Sequence, residues 1–363
     1  MAGTTRLELA TSCVTGKRSN QTELRSHLLS FHYSILPFKS FMSRFFIFYI
    51  LHLDYSTYSM LPFLFRLSYN IIVKRLILFL TLIALNLSIN LNAQAIKIGL
   101  VENTDYVTVG VSNKSMLIDG NQNKLLMNLD GMTPYKLKYN KNSIAIQINN
   151  KLYDTKTNKL IIRPGENGFA SVKGKWYRGE LVVLNNNKLT VINDIPLEHY
   201  LLGVVPSEMP SGWSYEALKA QSIAARSYAV ANLGKNGSKG YDLKDNTYDQ
   251  AYGGASAEKQ STNRAVAETK GIVATYNKRV ISAYYCASAG GQTKDSGDVW
   301  TKNLPYIRSV DSFDKDVRKN GHGIGMSQHG ANNMAKQGYN AYQILTYFYN
   351  NIKFGRLDPS WNL

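Results

Sequence analysis

Residues 194–210, DIPLEHYLLGVVPSEMP from Asp194 to Pro210, mark a change of texture in this chain. Upstream, short β-rich runs cover residues 96–101, 106–111, 115–118, 143–148, 160–162, 168–172, 179–184 and 188–192. Asp119-Gly120, Asp130-Gly131 and Asn149-Asn150 punctuate them as turns, and Pro164-Gly165 marks a turn and a candidate boundary. Downstream the period becomes helical. The run 195–205 is apolar except for Pro196, Glu198, His199 and Gly203. Ser214 is placed as an N-cap, an Ala-rich helix is predicted over 215–233, and Gly234 sits where a C′ glycine belongs. Further helices are predicted over 257–270, 327–336 and 341–349, with strands at 272–276 and 280–285. The fold class is therefore α+β: a β-rich region, 96–164, followed by a mixed α/β region, 165–355.

The first ninety residues read differently. Lys74-Arg75 precedes an almost uncharged apolar run, 76–91, and then Asn92-Ala93-Gln94-Ala95. Basic flank, apolar run and small residues are the parts of a secretory signal peptide, expected over 73–95. The run is shorter than the ~20 residues of a spanning helix. Residues 1–72 are expected to be a gene-call extension, or a disordered or membrane-proximal segment. The alternative is a membrane segment over 41–91, interrupted by Arg44, Asp54 and Arg66. Either way the chain is expected to be exported, with membrane contact only through an uncleaved N-terminal segment. N-terminal sequencing of the expressed protein distinguishes the two.

The 363 residues carry 42 Lys+Arg against 25 Asp+Glu, net +17. Residues 1–94 hold 9 and 3 of these, so the remainder is still +11. A basic surface suits anionic partners such as wall polymers. There is no basic stripe with interleaved aromatics, so nucleic acid is not predicted. Cys13 and Cys286 are the two cysteines, which excludes a disulfide scaffold and a four-cysteine zinc site.

Few residues can carry chemistry. Glu208 follows an apolar run and lies between Pro206 and Pro210, in what reads as a loop before a helix. A carboxyl beside apolar surface has its charged form disfavoured and can hold a proton near neutral pH. The plain alternative is a solvated or capping glutamate. Lys219, Ser222 and Arg226 share one helical stripe, which reads either as a solvated face or as a site for an anion or sugar hydroxyls. GHGIGMSQHG, 321–330, has alternate glycines before a helix start, but neither a P-loop lysine nor a third metal ligand. Cys286 reads as a buried small hydrophobe, or as a nucleophile paired with His199, His322 or His329. Tyr248–Gly254 is a polar-aromatic turn suited to sugar contact.

In order and spacing these motifs resemble the SpoIID/LytB family. The matching residues are DIPLEHYLLGVV (194–205) leading into Ser207-Glu208-Met209-Pro210, then ALKAQSIAARSYA (217–229), Gln250-Ala251-Tyr252-Gly253-Gly254, Gly290-Gly291-Gln292-Thr293 and GHGIGMSQHGA. They span about residues 165–352. The resemblance implies a peptidoglycan lytic transglycosylase, which cuts the MurNAc–GlcNAc β-1,4 bond and leaves a 1,6-anhydro end. Such chemistry needs one acid/base carboxyl, which Glu208 would supply. By the same resemblance Arg226, Gln250, Tyr252, Ser288, His322 and Gln328 would bind substrate. A cell-wall amidase is an implied partner, because some relatives are described as amidase enhancers; a non-catalytic glycan-binding enhancer is thus the alternative function. Some relatives bind zinc near the position of Cys286. Here Ala287, Ser288 and Ala289 surround that residue, and no metal or other cofactor is expected.

Overall fold

The computed structural model describes residues 95–357. The expectations for residues 1–94, the leader included, lie outside them. The chain opens with a run of strands: β1 (Ala95–Thr104), β2 (Tyr106–Val111), β3 (Ser115–Asp119), β4 (Lys124–Leu129), β5 (Tyr135–Asn140), β6 (Ser143–Ile148), β7 (Lys151–Asp154), β8 (Lys159–Arg163), β9 (Ala170–Val172), β10 (Lys175–Tyr177), β11 (Glu180–Asn185) and β12 (Leu189–Pro196). With β13 (Leu243–Lys244) they form two sheets, ordered β13-β1-β12-β11-β8-β3-β4 and β10-β9-β2-β5-β6-β7. Alternation sends one face of each sheet inward. Val107, Val109, Leu137 and Ile144 of one sheet share a core with Leu117, Leu160, Leu181 and Val191 of the other.

The turns follow from residue chemistry. Asn149 and Asn150 both have positive φ (48° and 61°) and join β6 to β7 as a two-residue hairpin. The strands β4, β5, β7 and β10 went unread in the sequence. KLLMNL has an unbroken apolar block, 125–127, and is mostly exposed; YKLKYN does alternate, with Tyr135, Leu137 and Tyr139 on one face and Lys136, Lys138 and Asn140 on the other. Pro164-Gly165 leads into the expected turn, in which the Gly168 N–H donates to the Gly165 carbonyl at 2.8 Å, and the sheets continue across it. Across it β8 pairs with β11, and β1 pairs with β12 from Ala95↔Pro196 to Thr104↔Leu189. The division at 164/165 is one of texture, because the strands on both sides bury their apolar faces in one core.

The α-helices among the described residues are α1 (Leu197–Glu208), α2 (Tyr215–Ala231), α3 (Gln260–Glu268), α4 (Ser296–Val299), α5 (Gln328–Lys336) and α6 (Ala341–Phe348). The architecture is α+β, as the sequence indicates. β12 runs into α1 without a loop, through Pro196, whose φ of −56° suits a helix start. Tyr200, Leu201, Val204 and Val205 of α1 sit in the sandwich core, as do Ala225, Tyr228 and Ala229 of α2. The opposite side of α2, with Leu218, Ile223 and Ala224, enters a second core with Met326, Met334, Ile344 and Phe348. So α2 is buried almost all round, which its small residues permit. Among the described residues no helix is long and apolar enough to cross a membrane.

Candidate active site

Glu208 is the last residue of α1, not part of a loop. The helix runs through Pro206; Ser207 Oγ donates to the Gly203 carbonyl at 2.7 Å, and Met209 N–H donates to the Val205 carbonyl at 3.0 Å. Pro206 lies close enough to the end for the helix to survive its missing N–H. Gly203 sets how near α1 lies to the turn that follows β13. A Cβ there would stand 2.6 Å from the Tyr252 ring and 2.8 Å from the Gly254 carbonyl oxygen. This close approach brings the Ala251 N–H to Glu208 Oε1 at 2.6 Å.

Three elements complete the surroundings of the carboxyl. From α5, Gln328 Nε2 reaches Glu208 Oε2 and Gln221 Oε1, each at 3.5 Å. The Tyr285 phenol lies against the carboxyl and favours its anion. Gln250, fully buried, donates to the Tyr285 hydroxyl oxygen at 2.8 Å and to the Ala225 carbonyl at 3.3 Å, and accepts from the Tyr200 hydroxyl at 3.4 Å. Burial is the largest influence on Glu208 and pushes its pKa up, against the Ala251, Gln328 and Tyr285 contacts, which favour the anion. The helix C-terminus, with its negative dipole end, adds to the same upward push. The result is a carboxyl inclined to hold its proton.

Of the residues expected to bind substrate, Glu208, Gln250 and Gln328 come together. Arg226, Tyr252 and Ser288 do not join them, and each is turned inward. Arg226 is fully buried; its Nε and Nη2 grip the two oxygens of Glu198 at 2.8 Å each, and Nη1 and Nη2 donate to the Ile272 and Val266 carbonyls at 3.1 and 3.3 Å. It ties the start of α1 to α2, α3 and the strand Ile272–Tyr276. The stripe of Ser222 and Arg226 is thus an internal face. Tyr252 is 2% exposed, donates to Asn193 Oδ1 at 2.8 Å and packs against Tyr177 and Tyr200. Ser288 is buried and donates to the Arg318 carbonyl at 2.6 Å. Gln250 commits its amide to Tyr200, Tyr285 and the Ala225 carbonyl, so it supports Tyr285 and does not line a groove.

His322 is half-buried, with its ring 5.2 Å from that of Trp300 and 6.3 Å from that of Tyr284. Its Nδ1 accepts from the Ile324 N–H at 3.0 Å, and burial lowers its pKa, so the ring is neutral at pH 7. His329 stacks edge-on against Trp213 at 4.7 Å. Cys286 is buried and its thiol is pushed up to about 11, first by that burial, so the nucleophilic thiolate is disfavoured. Among the described residues no three His, Cys, Asp or Glu side chains converge as metal ligands. The cavities of about 590 and 700 Å³ bordered by Trp176 and Tyr306 lie elsewhere, and Glu208 borders neither.

Four participants escaped the sequence reading: Tyr285, Gln221, Glu198 and Asp314. Gln221 and Glu198 lay inside the quoted motifs, but nothing in a helical period distinguishes an inward polar residue. Asp314 is the node of the second half. Its carboxylate accepts from the Ala289 and Gly291 N–H groups at 2.7 and 2.8 Å and from the Ser312 and Ser327 hydroxyls. Burial would raise its pKa, but these donors outweigh it and hold the carboxyl below the ordinary aspartate value. Ser327 also caps α5 by accepting from Gly330 N–H at 3.0 Å. Asp314 therefore fixes the Gly290-Gly291 turn against the helix that carries Gln328. Gly330 packs so closely that a Cβ would stand 1.8 Å from the Ser312 carbonyl oxygen. Gly330→Ala is expected to cost about 3 kcal/mol in stability. Urea unfolding tests this; an unchanged midpoint would refute the close packing.

The fold and site define a class: a β-sandwich joined to a helical layer, with the half-buried acid Glu208 on the helix that links them. Residues 185–276 match the family model SpoIID, Stage II sporulation protein, and the chain carries a SpoIID-family domain over those residues. That span holds Glu208, Arg226, Gln250 and Tyr252; Ser288, His322 and Gln328 lie beyond it. Over 184 residues the chain is 40% identical to the Amidase enhancer of Bacillus subtilis (strain 168), covering 49% of this chain and 24% of that protein. It is 36% identical over 152 residues to an uncharacterized protein of Brachyspira hyodysenteriae, covering 41% of each. It is 27% identical over a 266-residue alignment to Stage II sporulation protein D of Bacillus subtilis, covering 47% of this chain and 78% of that protein. The chain thus spans about a quarter of the amidase enhancer's length and about two-fifths of the Brachyspira protein's.

Proposed function

We propose that this is an exported cell-wall protein, a lytic transglycosylase of peptidoglycan in which Glu208 is the single acid and base. The SpoIID domain and the amidase-enhancer relative support the cell-wall role. The observation that carries the mechanism is the half-buried Glu208 with raised pKa, held by Ala251 and Gln328. The protonated carboxyl delivers its proton to the glycosidic oxygen as the bond to the muramic anomeric carbon breaks. The muramic 6-hydroxyl attacks that carbon, and Glu208, now a carboxylate, takes the hydroxyl proton. Water is not consumed. One carboxyl suffices, unlike the pair used in most glycoside hydrolysis. Asp249, on the same turn as Ala251, is already engaged by the Tyr228 hydroxyl at 3.0 Å, the Lys244 N–H at 2.8 Å and the Lys235 ammonium at 2.5 Å. It is poorly placed to activate a water.

The test is a digest of peptidoglycan, both intact and stripped of stem peptides by an amidase, read by mass spectrometry. Anhydro-muramic ends are expected. Reducing ends would replace this mechanism with hydrolysis. No cleavage together with retained glycan binding would favour the second reading, a glycan-binding enhancer of a wall amidase, which the 40%-identical relative supports. The pH profile is a further check. A general acid works while protonated, so activity should persist above the pH where an ordinary glutamate ionises and fall as pH rises through the raised value. A falling limb centred at the ordinary glutamate value would remove Glu208 from the acid role.

A further inference from the structure

The six-stranded sheet turns its second face to solvent. On β2, Val107 and Val109 point into the core, so alternation sends Tyr106, Thr108 and Gly110 outward. Tyr106 is 57% exposed, and Thr108 is exposed as well. The register carries this face across the sheet. Gly110 pairs with Ser171 of β9, and Ser171 with Trp176 of β10. On the other side Thr108 pairs with Lys136, and Tyr106 with Lys138, both on β5. Trp176 and Tyr106 thus flank a trough floored by Gly110 and Ser171; a Cβ on Gly110 would stand 2.9 Å from Ser171 Oγ. The trough is a cavity of about 590 Å³, with Met132 at its rim. Lys173 borders it, no carboxylate does, and Lys136 Nζ stands 4.2 Å above the Tyr106 ring.

Two partly exposed aromatic rings beside a floor of small residues, Gly110 and Ser171, offer the apolar faces that pyranose rings cover. Isolated aromatics on a soluble sheet are unremarkable, but rings aligned on one trough with lysines beside them make a patch of defined chemistry. Lys136 and Lys138 then select against neutral and cationic ligands, and Lys173, whose ammonium donates to the Leu100 carbonyl at 2.7 Å, adds positive charge at the border. The sheet edge is also held by the segment that positions the acid. Trp176 N–H donates to Ser256 Oγ at 2.9 Å, and Ala251, five residues earlier, donates to Glu208.

We infer that this face is a second, non-catalytic site that takes an anionic glycan strand, with sugar rings on Trp176 and Tyr106 and carboxylates beside the lysines. The inference rests on the reading of wall glycan as substrate: a strand stripped of its stem peptides exposes one carboxylate on each muramic residue. The site holds a polymer near Glu208 without touching the reacting bond. It gives the β-rich region a function that its strand pattern alone did not reveal.

The experiment uses the full chain carrying Glu208→Gln, so that binding is read without cleavage, and insoluble peptidoglycan stripped of stem peptides as the probe. Trp176→Ala is expected to weaken co-sedimentation about tenfold. Thr108→Glu, on an exposed strand position, should weaken it similarly, and Thr108→Lys should tighten it. Chitin, the uncharged analogue, should bind less tightly than the stripped strands, and salt should narrow the difference. Trp176→Ala and Thr108→Glu variants that keep the parent's melting temperature and its binding would overturn the proposal, as would equal binding of chitin. With Glu208 intact, the same variants should still cleave short soluble fragments. If no variant cleaves anything but binding still depends on Trp176, the catalytic reading fails and this site stands.

Discussion

Glu208→Gln is expected to lower the formation of anhydro-muramic ends by about a thousandfold or more, the scale of losing a positioned acid/base. The substitution keeps the shape of the side chain and removes only its proton chemistry. It also carries a second, opposite prediction. The folded protein binds the Glu208 proton more tightly than the unfolded chain does, so its stability falls as pH rises through the raised pKa. A glutamine has no such cost. It can still accept from the Ala251 N–H, and its amide can face Gln328 once that side chain and Gln221 rotate. Gln221 Nε2 is buried without a partner in the present arrangement, so the rotation gives it one. The variant should therefore melt no lower than the parent at pH 5 and higher at pH 8. A loss of cleavage accompanied by a lower melting temperature at pH 8 would mean the site had collapsed, and the activity loss would then say nothing about acid catalysis. Full cleavage by the variant would end the mechanism outright.

Arg226→Met should be the most destabilising single change outside the packed apolar core, at about 3–5 kcal/mol. The guanidinium is wholly buried and satisfied by Glu198 and three backbone carbonyls, those of Ile272, Val266 and Ser222. Methionine fills much of the volume but leaves the Ile272 and Val266 carbonyls short of a donor and Glu198 without its counter-charge. Glu198 also accepts from the Gly271 N–H at 3.1 Å, so the disturbance reaches three elements. Pairing Arg226→Met with Glu198→Gln should recover part of the loss, because the uncompensated carboxylate is then gone. Equilibrium urea unfolding of the two variants gives the comparison. A cost below about 1 kcal/mol for Arg226→Met would show that the pair behaves as an exposed one. A normal stability with lost glycan binding would restore Arg226 to the groove and refute its structural role.

Arg226 illustrates what local sequence conceals. Lys219, Ser222 and Arg226 fall on one stripe, and amphipathic logic turns that stripe to water. Ser222 and Arg226 are instead buried, while Lys219 lies at the edge, 2.7 Å from Glu216. An Ala-rich helix with polar residues on one side is equally consistent with a second layer packed over that side. Periodicity reports that a face differs, not what covers it. The same limit misplaced Tyr252, whose polar-aromatic turn suited sugar contact. Its hydroxyl was satisfied 59 residues away by Asn193, on β12. Around Glu208 two prolines pointed to a loop, but the helix runs through the first of them and ends on the half-buried carboxyl.

Composition, pattern and motif order determined the α+β class, the strand-rich stretch from residue 96 and the Asn and Gly turns, and singled out a carboxyl beside apolar residues. These are local properties, set by side-chain sterics and by the period of burial within one element. Tertiary structure alone decided that β1 closes against β12 across nearly a hundred residues, that Arg226 and Tyr252 face inward, and that Asp314 fastens the helix bearing Gln328. It also decided which outward residues of β2, β9 and β10 line up as one trough. Each of these depends on which distant surface arrives to take a polar group out of water. That partner is chosen by sheet register and helix packing, and neither is encoded in the spacing of residues along a single element.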